Sequence, residues 1–186
     1  MRTEMSDDLN IRKVLNGDEG AFRYFITEYK DMAFTVAISV VKEQNIAQEV
    51  VQDAFLKAFK SLHSFKKEAL FSTWFYRIVV NEALMRLKKM KRDILIFSPD
   101  CDRDVRDESV FFSLEEPEQS HLINEALKKL SPNESLVLRL FYLQEENLRS
   151  VGDITGMSVA NVKVTLHRAR KNMFRLISQL KKNNIS

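Results

Sequence analysis

Residues 65–81 read Phe65-Lys-Lys-Glu-Ala-Leu-Phe-Ser-Thr-Trp-Phe-Tyr-Arg-Ile-Val-Val-Asn81. Two lysines and a group of aromatics stand at the start of a helical pattern. Single-stranded nucleic acid is held by that combination, cations taking the phosphate backbone while aromatic faces stack on unpaired bases. The plainer reading is a core-facing helix with Phe71, Trp74, Phe75, Tyr76 and Ile78 turned inward. The polar sector argues for more. At 100° per residue, Thr73, Arg77, Asn81, Lys88 and Arg92 fall within an arc of roughly 100°, and Arg86, Lys89 and Lys91 add charge beside it. Cations along one helix face suit phosphate.

Upstream, residues 45–62 repeat apolar side chains at helical spacing (Ala47, Val50, Val51, Ala54, Phe55, Ala58, Leu62), while Glu49, Gln52, Asp53 and Leu56 share the other side. That side is either a solvated face or, with a leucine among carboxylates and an amide, a small docking surface. Between this helix and the next, His63 to Leu70 breaks the pattern, and Ser72-Thr73 is expected to cap the helix carrying Trp74. Further back, Asn16-Gly17-Asp18 breaks the chain, with Asp18 as a cap for a helix bearing Phe22, Phe25, Ile26, Tyr29, Ala33, Val36, Ala37 and Val40.

Downstream the charge alternates. Five basic residues and no acid lie between Arg86 and Arg92; residues 98–118 then carry eight acids against two arginines, and no acid follows Asp153. Two basic surfaces separated by an acidic connector are implied. Ser98-Pro99 and Glu116-Pro117 mark the connector, although Val110-Phe111-Phe112 is too apolar for a pure tether. A short amphipathic helix over 120–130 leads to Ser131-Pro132-Asn133-Glu134, a strong helix start. A helix near 148–155, a turn at Gly156 and a cap at Ser158 complete a helix-turn-helix pattern. On the last helix Val159, Val162, Leu166, Ala169, Met173, Leu176, Ile177 and Leu180 form the apolar arc, opposite Ala160, Val164, His167, Arg168, Lys171 and Arg175. Small residues at the start of a basic helix allow close approach to base edges, so the pattern reads either as a DNA-binding module or as a helical protein-interaction hairpin.

The totals are consistent with this. Four glycines and three prolines among 186 residues favour long helices, and the net charge is only +3. One cysteine, Cys101, allows no internal disulfide, and three scattered histidines offer no metal spacing. No nucleophile and base pairing or phosphate loop points to catalysis, so no catalytic residue, metal or cofactor is expected. The first residues lack a signal-peptide pattern and no apolar run is long enough to span a membrane, which reads as a cytoplasmic protein.

The run S-F-K-K-E-A-L-F-S-T-W-F-Y-R-I-V-V-N, preceded by V-V-Q-D-A-F-L-K-A-F, resembles the promoter-melting domain of the extracytoplasmic-function sigma factors of the sigma-70 family. L-S-P-N-E-S-L-V-L-R-L-F-Y and G-M-S-V-A-N-V-K-V-T-L-H-R-A-R are similar to that family's domain for the -35 element. The resemblance implies an all-α protein of two small helical domains: 1–93 for polymerase docking and the -10 element, an acidic linker at 94–118, and a helix-turn-helix domain at 119–186. It implies a -10 site made of Phe65, Lys66, Lys67, Glu68, Ala69, Leu70, Thr73, Trp74, Arg77, Asn81, Lys88 and Arg92, in which the loop captures an unstacked base. A -35 site would comprise Ser158, Ala160, Asn161, Lys163, Val164, Thr165, His167, Arg168 and Lys171. Core polymerase would dock on Gln48, Glu49, Gln52, Asp53 and Leu56 through the clamp helices of its largest subunit, and the flap of the second largest subunit would be a further contact. The linker would thread a basic channel of the polymerase used by RNA. An anti-sigma factor is a candidate partner on the same ground. Two departures stand out: Gly152 replaces a usual alanine, at a cost of about 1 kcal/mol in the helix, and Val164-Thr165 occupies positions where arginine is common. The alternative is a stand-alone regulator that binds duplex DNA as a dimer.

Overall fold

Short capping side chains set where the helices begin. Asp18 Oδ1 accepts the Ala21 N–H at 3.3 Å, starting a 3-10 turn that feeds α2 (Arg23–Val41), and this separates α2 from α1 (Arg2–Leu15). α2 ends on Lys42, a non-glycine residue at φ +63° whose N–H donates to the Ile38 carbonyl at 3.1 Å. Glu43 then turns its carboxylate onto the N–H groups of Asn45 (2.9 Å) and Ile46 (2.7 Å), capping α3 (Gln44–Ser61). α4 (Phe71–Phe97) follows after a loop. The computed structural model describes residues 2–97 and 117–183; most of the acidic connector, including Cys101 and Val110-Phe111-Phe112, lies outside them.

The second group comprises α5 (Pro117–Lys129), α6 (Pro132–Leu138), α7 (Leu148–Thr155) and α8 (Val159–Asn183). Pro132 opens α6, and the Glu134 carboxylate reaches back to accept from the Ser131 hydroxyl (2.8 Å) and N–H (3.3 Å). The described residues contain helices and turns and no strand.

α2 is the central helix. It packs against α3 and α4 on one side and against α6 on the other, so even Thr35 and Ser39 are buried. Their hydroxyls donate back to the carbonyls of Asp31 (2.9 Å) and Thr35 (2.6 Å), which satisfies them inside the helix. Phe25 and Phe75 are wholly buried, each contributing about 1.5–3 kcal/mol through removal from water. α4 meets α7 as α2 meets α6, and the two helical groups share one continuous core. At that seam the Lys42 Nζ donates to the Leu127 carbonyl at 2.8 Å.

Candidate nucleic-acid interface

The helix carrying the aromatic run starts earlier than the Ser72-Thr73 cap would require. The Trp74 N–H already donates to the Leu70 carbonyl at 3.1 Å, so both residues lie within the first turn. Most of the aromatics serve the core, as the plainer reading has it. Phe71 packs against Phe25 (centroids 4.3 Å apart) and Phe75 against Phe55 (4.6 Å), both with tilted rings, and Tyr76 is buried beside them. Trp74 and Phe65 are the partly exposed members, in contact at 5.1 Å. Along the outer side Arg77, Asn81, Lys88 and Arg92 are all exposed. Thr73 departs from that strip: it is buried, because its place on the first turn faces the core. Arg86 leaves the free cationic surface by pairing with Glu49 of α3.

The loop before α4 is closed by a 3-10 turn in which the Phe65 N–H donates to the Leu62 carbonyl at 3.1 Å. Lys66, Glu68, Ala69 and Leu70 are exposed. Lys67 adopts φ +58°, a left-handed conformation that glycine takes without strain. Its ammonium pairs with Asp8 of α1 at 2.6 Å, and this hydrogen bond holds the Asp8 carboxyl below the usual carboxylate range. Beside it Asp7 is buried and accepts the Tyr29 hydroxyl at 2.6 Å. Burial pushes the Asp7 carboxyl up, against the opposing pull of the Tyr29 and Tyr24 hydroxyls. No spacing or periodicity in the sequence joins Asp7 and Asp8 to a loop some sixty positions away, so both were missed there.

On α3, Gln48, Glu49, Gln52, Asp53 and Leu56 form one exposed face, with Leu56 about half exposed at 53%. Glu49 is held against α4 by Arg86, and Lys57 likewise reaches Glu82 at 2.5 Å. These ion pairs fix the α3–α4 geometry while leaving Gln52, Asp53 and Leu56 outward.

The helix-turn-helix forms as the punctuation dictates. Asn147 caps α7 by accepting the N–H groups of Arg149 and Ser150, each at 3.0 Å. Gly156 takes φ +74° and closes α7, and Ser158 Oγ accepts the Asn161 N–H at 3.2 Å to start α8. Val162, Leu166 and Ala169 are buried, but Val159 is exposed (41%), because the first turn of α8 projects beyond the core. Ser158, Ala160, Asn161, Lys163, Val164, His167, Arg168 and Lys171 are exposed and Thr165 is half-buried. Gly152 has a positive use: a Cβ there would stand 2.8 Å from the Met157 carbonyl oxygen, so its absence lets the turn close tightly.

Behind this unit lies an apolar groove of about 360 Å³, lined by Ile123, Leu127, Leu138, Tyr142, Met173 and Phe174 among others. Phe174 is 77% exposed. Residues 139–143 form a π-turn, with Arg170 over the Tyr142 ring at 5.3 Å; the sequence carried no signal for the wider turn. Among the described residues no cluster of side chains suits a metal ion, and no helix is long and apolar enough to cross a membrane.

Comparison with known proteins supplies the setting for this geometry. Residues 25–93 match the family profile of sigma-70 region 2, and residues 120–173 that of sigma-70 region 4. The chain is 29% identical to the ECF RNA polymerase sigma factor SigW of Bacillus subtilis, over 95% of this chain and 100% of that protein. It is 30% identical to the RNA polymerase sigma factor SigV of the same organism, over 80% of this chain and 86% of that one. Among solved structures it resembles the sigma factor RpoE bound to the anti-sigma factor NepR from Bartonella quintana, with a TM-score of 0.69 and 20% identity over 84% of this chain and 96% of that one. It also resembles CnrH bound to the cytosolic domain of CnrY, with a TM-score of 0.65 and 18% identity over 94% and 98% of the two chains.

Proposed function

Because this chain belongs to the extracytoplasmic-function sigma factors of the sigma-70 family and directs core RNA polymerase to promoters, we propose that the work is divided between its two helical groups. Residues 1–93 form the -10 and polymerase-docking unit, 94–118 the linker, and 119–186 the -35 unit. The observation that carries this reading is the exposed strip of Arg77, Asn81, Lys88 and Arg92 on α4, adjoining a loop whose Phe65, Lys66, Glu68, Ala69 and Leu70 are accessible. Cations there hold the backbone of a separated strand, and Trp74 with Phe65 offers the stacking surface. Thr73, being buried, acts only by supporting the first turn.

The exposed start of α8 enters the major groove of intact -35 duplex. Ala160 and Val164 approach thymine methyls, and Lys163, Arg168 and Lys171 contact phosphate or guanine. The α3 face meets the clamp helices of the polymerase, and the apolar groove lined by Phe174 receives the flap. An anti-sigma factor of the kind bound by the structural relatives would compete for these surfaces. Members of this family act by binding: the open promoter is favoured because the α4 surface fits separated strands better than duplex, and a binder shifts an equilibrium only through such a preference. That work places the protein with the polymerase in the cytoplasm.

Mixing the purified chain with core polymerase and a pool of promoter fragments tests the reading. New, sequence-selective start sites are expected, from fragments that share a -35 and -10 pair. Tight duplex binding without polymerase, with no change in initiation, would instead identify a stand-alone regulator.

A further inference from the structure

The connector runs from Phe97, where α4 ends, to Pro117, where α5 opens, and it carries Val110-Phe111-Phe112 among acids. Three successive apolar residues in so polar a segment call for a surface that covers them. The groove between α5 and α8 is such a surface. Its volume of about 360 Å³ has room for about two phenyl rings, one benzene filling a cavity of about 150 Å³. Ile123, Leu127 and Met173 line it, and Phe174, also in the lining, stands 77% exposed. The reach is sufficient: Ile123 lies about 9 Å along α5 from Pro117, whereas the chain from Phe112 to Pro117 extends to about 17 Å. Charge agrees as well. Arg170 lines the groove, Phe174 also lines a second groove beside Lys171 and Arg175, and α8 carries no acid. Asp107, Glu108, Glu115 and Glu116 flank the apolar triplet, opposite in sign to that face.

We propose that, in the chain free of polymerase, Phe111 and Phe112 occupy the groove between α5 and α8, with the acids on either side against Arg170, Lys171 and Arg175. The triplet is tethered a few residues from the helix that forms one wall, so its effective concentration at the groove is on the order of millimolar. Each ring withdrawn from water then favours docking. For what displaces the segment, the inference rests on reading the groove as the seat of the flap: polymerase must expel the two rings to dock there, which ties exposure of the groove to assembly with the polymerase.

The test places p-benzoylphenylalanine at position 112 of the full chain, which keeps an aromatic ring there, and maps its photo-cross-links by mass spectrometry. A cross-link within one chain to Leu127, Met173 or Phe174 is expected, at a yield independent of protein concentration. In Phe174→Asp the yield at Leu127 and Met173 should fall about tenfold; Phe174 is exposed, so this change spares the core. Adding core polymerase should abolish the cross-link. Absence of any cross-link to the groove in the free chain overturns the proposal, as does an unchanged yield in Phe174→Asp, which would reflect the tether alone. Cross-links that join two chains and grow with concentration would give the groove to a second copy and overturn it too. The two levels separate on the polymerase arm. If the cross-link within one chain forms and then persists on bound polymerase, occupancy of the groove stands and the flap reading fails; if it never forms, occupancy fails and the flap reading is untouched.

Discussion

Gly152 is tied to the geometry of the helix-turn-helix by a single missing carbon. Alanine would gain about 1 kcal/mol of helix propensity, yet its Cβ would press at 2.8 Å on the backbone oxygen of Met157, which cannot rotate away as a side chain can. The second effect should win, so Gly152→Ala is expected to lower the thermal midpoint; a raised midpoint would show that the turn relaxes freely. At Lys67 two effects oppose each other. Glycine would relieve the strain of φ +58°, worth about 1 kcal/mol, while losing an ion pair to Asp8 that solvent largely screens. Lys67→Gly should therefore leave stability in urea within about 0.5 kcal/mol of the native chain, and a clear loss would mean that the pair anchors α1 more strongly than exposed pairs usually do.

Among the elements, α3 separates stability from binding. Its core side, Ala47, Val50, Ala54, Phe55 and Ala58, is buried, while Leu56 stands half exposed on the opposite face. Leu56→Ala is thus expected to shift stability by no more than about 0.5 kcal/mol. If that face docks on the polymerase, the same change weakens binding by about tenfold, as truncating an interface anchor does; a competition assay against labelled chain reads this, and unchanged affinity would remove Leu56 from the interface. The helices themselves were legible because their signals are local: Asp18, Ser131-Pro132, Gly156 and Ser158 each act within three or four residues. Periodicity likewise identified the strip from Arg77 to Arg92. Pairings across the fold left no such trace. Thr73 lay on the polar arc of a helical wheel but faces the core, Arg86 is spent on Glu49, and the two aspartates of α1 meet the loop only after folding.

For the whole molecule, the packing of the two helical groups sets a limit on reach. A compact chain of 186 residues has a radius of gyration of about 16 Å, whereas some 25 base pairs between the -35 and -10 elements span about 85 Å of duplex. Both elements can be held together only if the seam opens. Lys42 sits at that seam, bonded to the Leu127 carbonyl and near Arg139 and Glu134. Burial first, then the Arg139 charge, push its ammonium down to about 7, with Glu134 opposing. The open state then binds more protons between pH 7 and the ordinary lysine value near 10.5, so closure is strengthened as pH rises through that window and carries its full penalty below it. Fluorophores on α3 and α8 should report greater closure at about pH 9 than at about pH 7, and Lys42→Met should abolish the difference; a pH response that survives this substitution would assign it elsewhere. The division of labour between the groups is tested most directly by measuring closed and open complexes separately, by footprinting and by permanganate reactivity, for Arg77→Ala and Arg168→Ala. The account predicts that Arg168→Ala loses the closed complex, while Arg77→Ala keeps it and fails to open the duplex. Equal loss of the closed complex in both variants would contradict it.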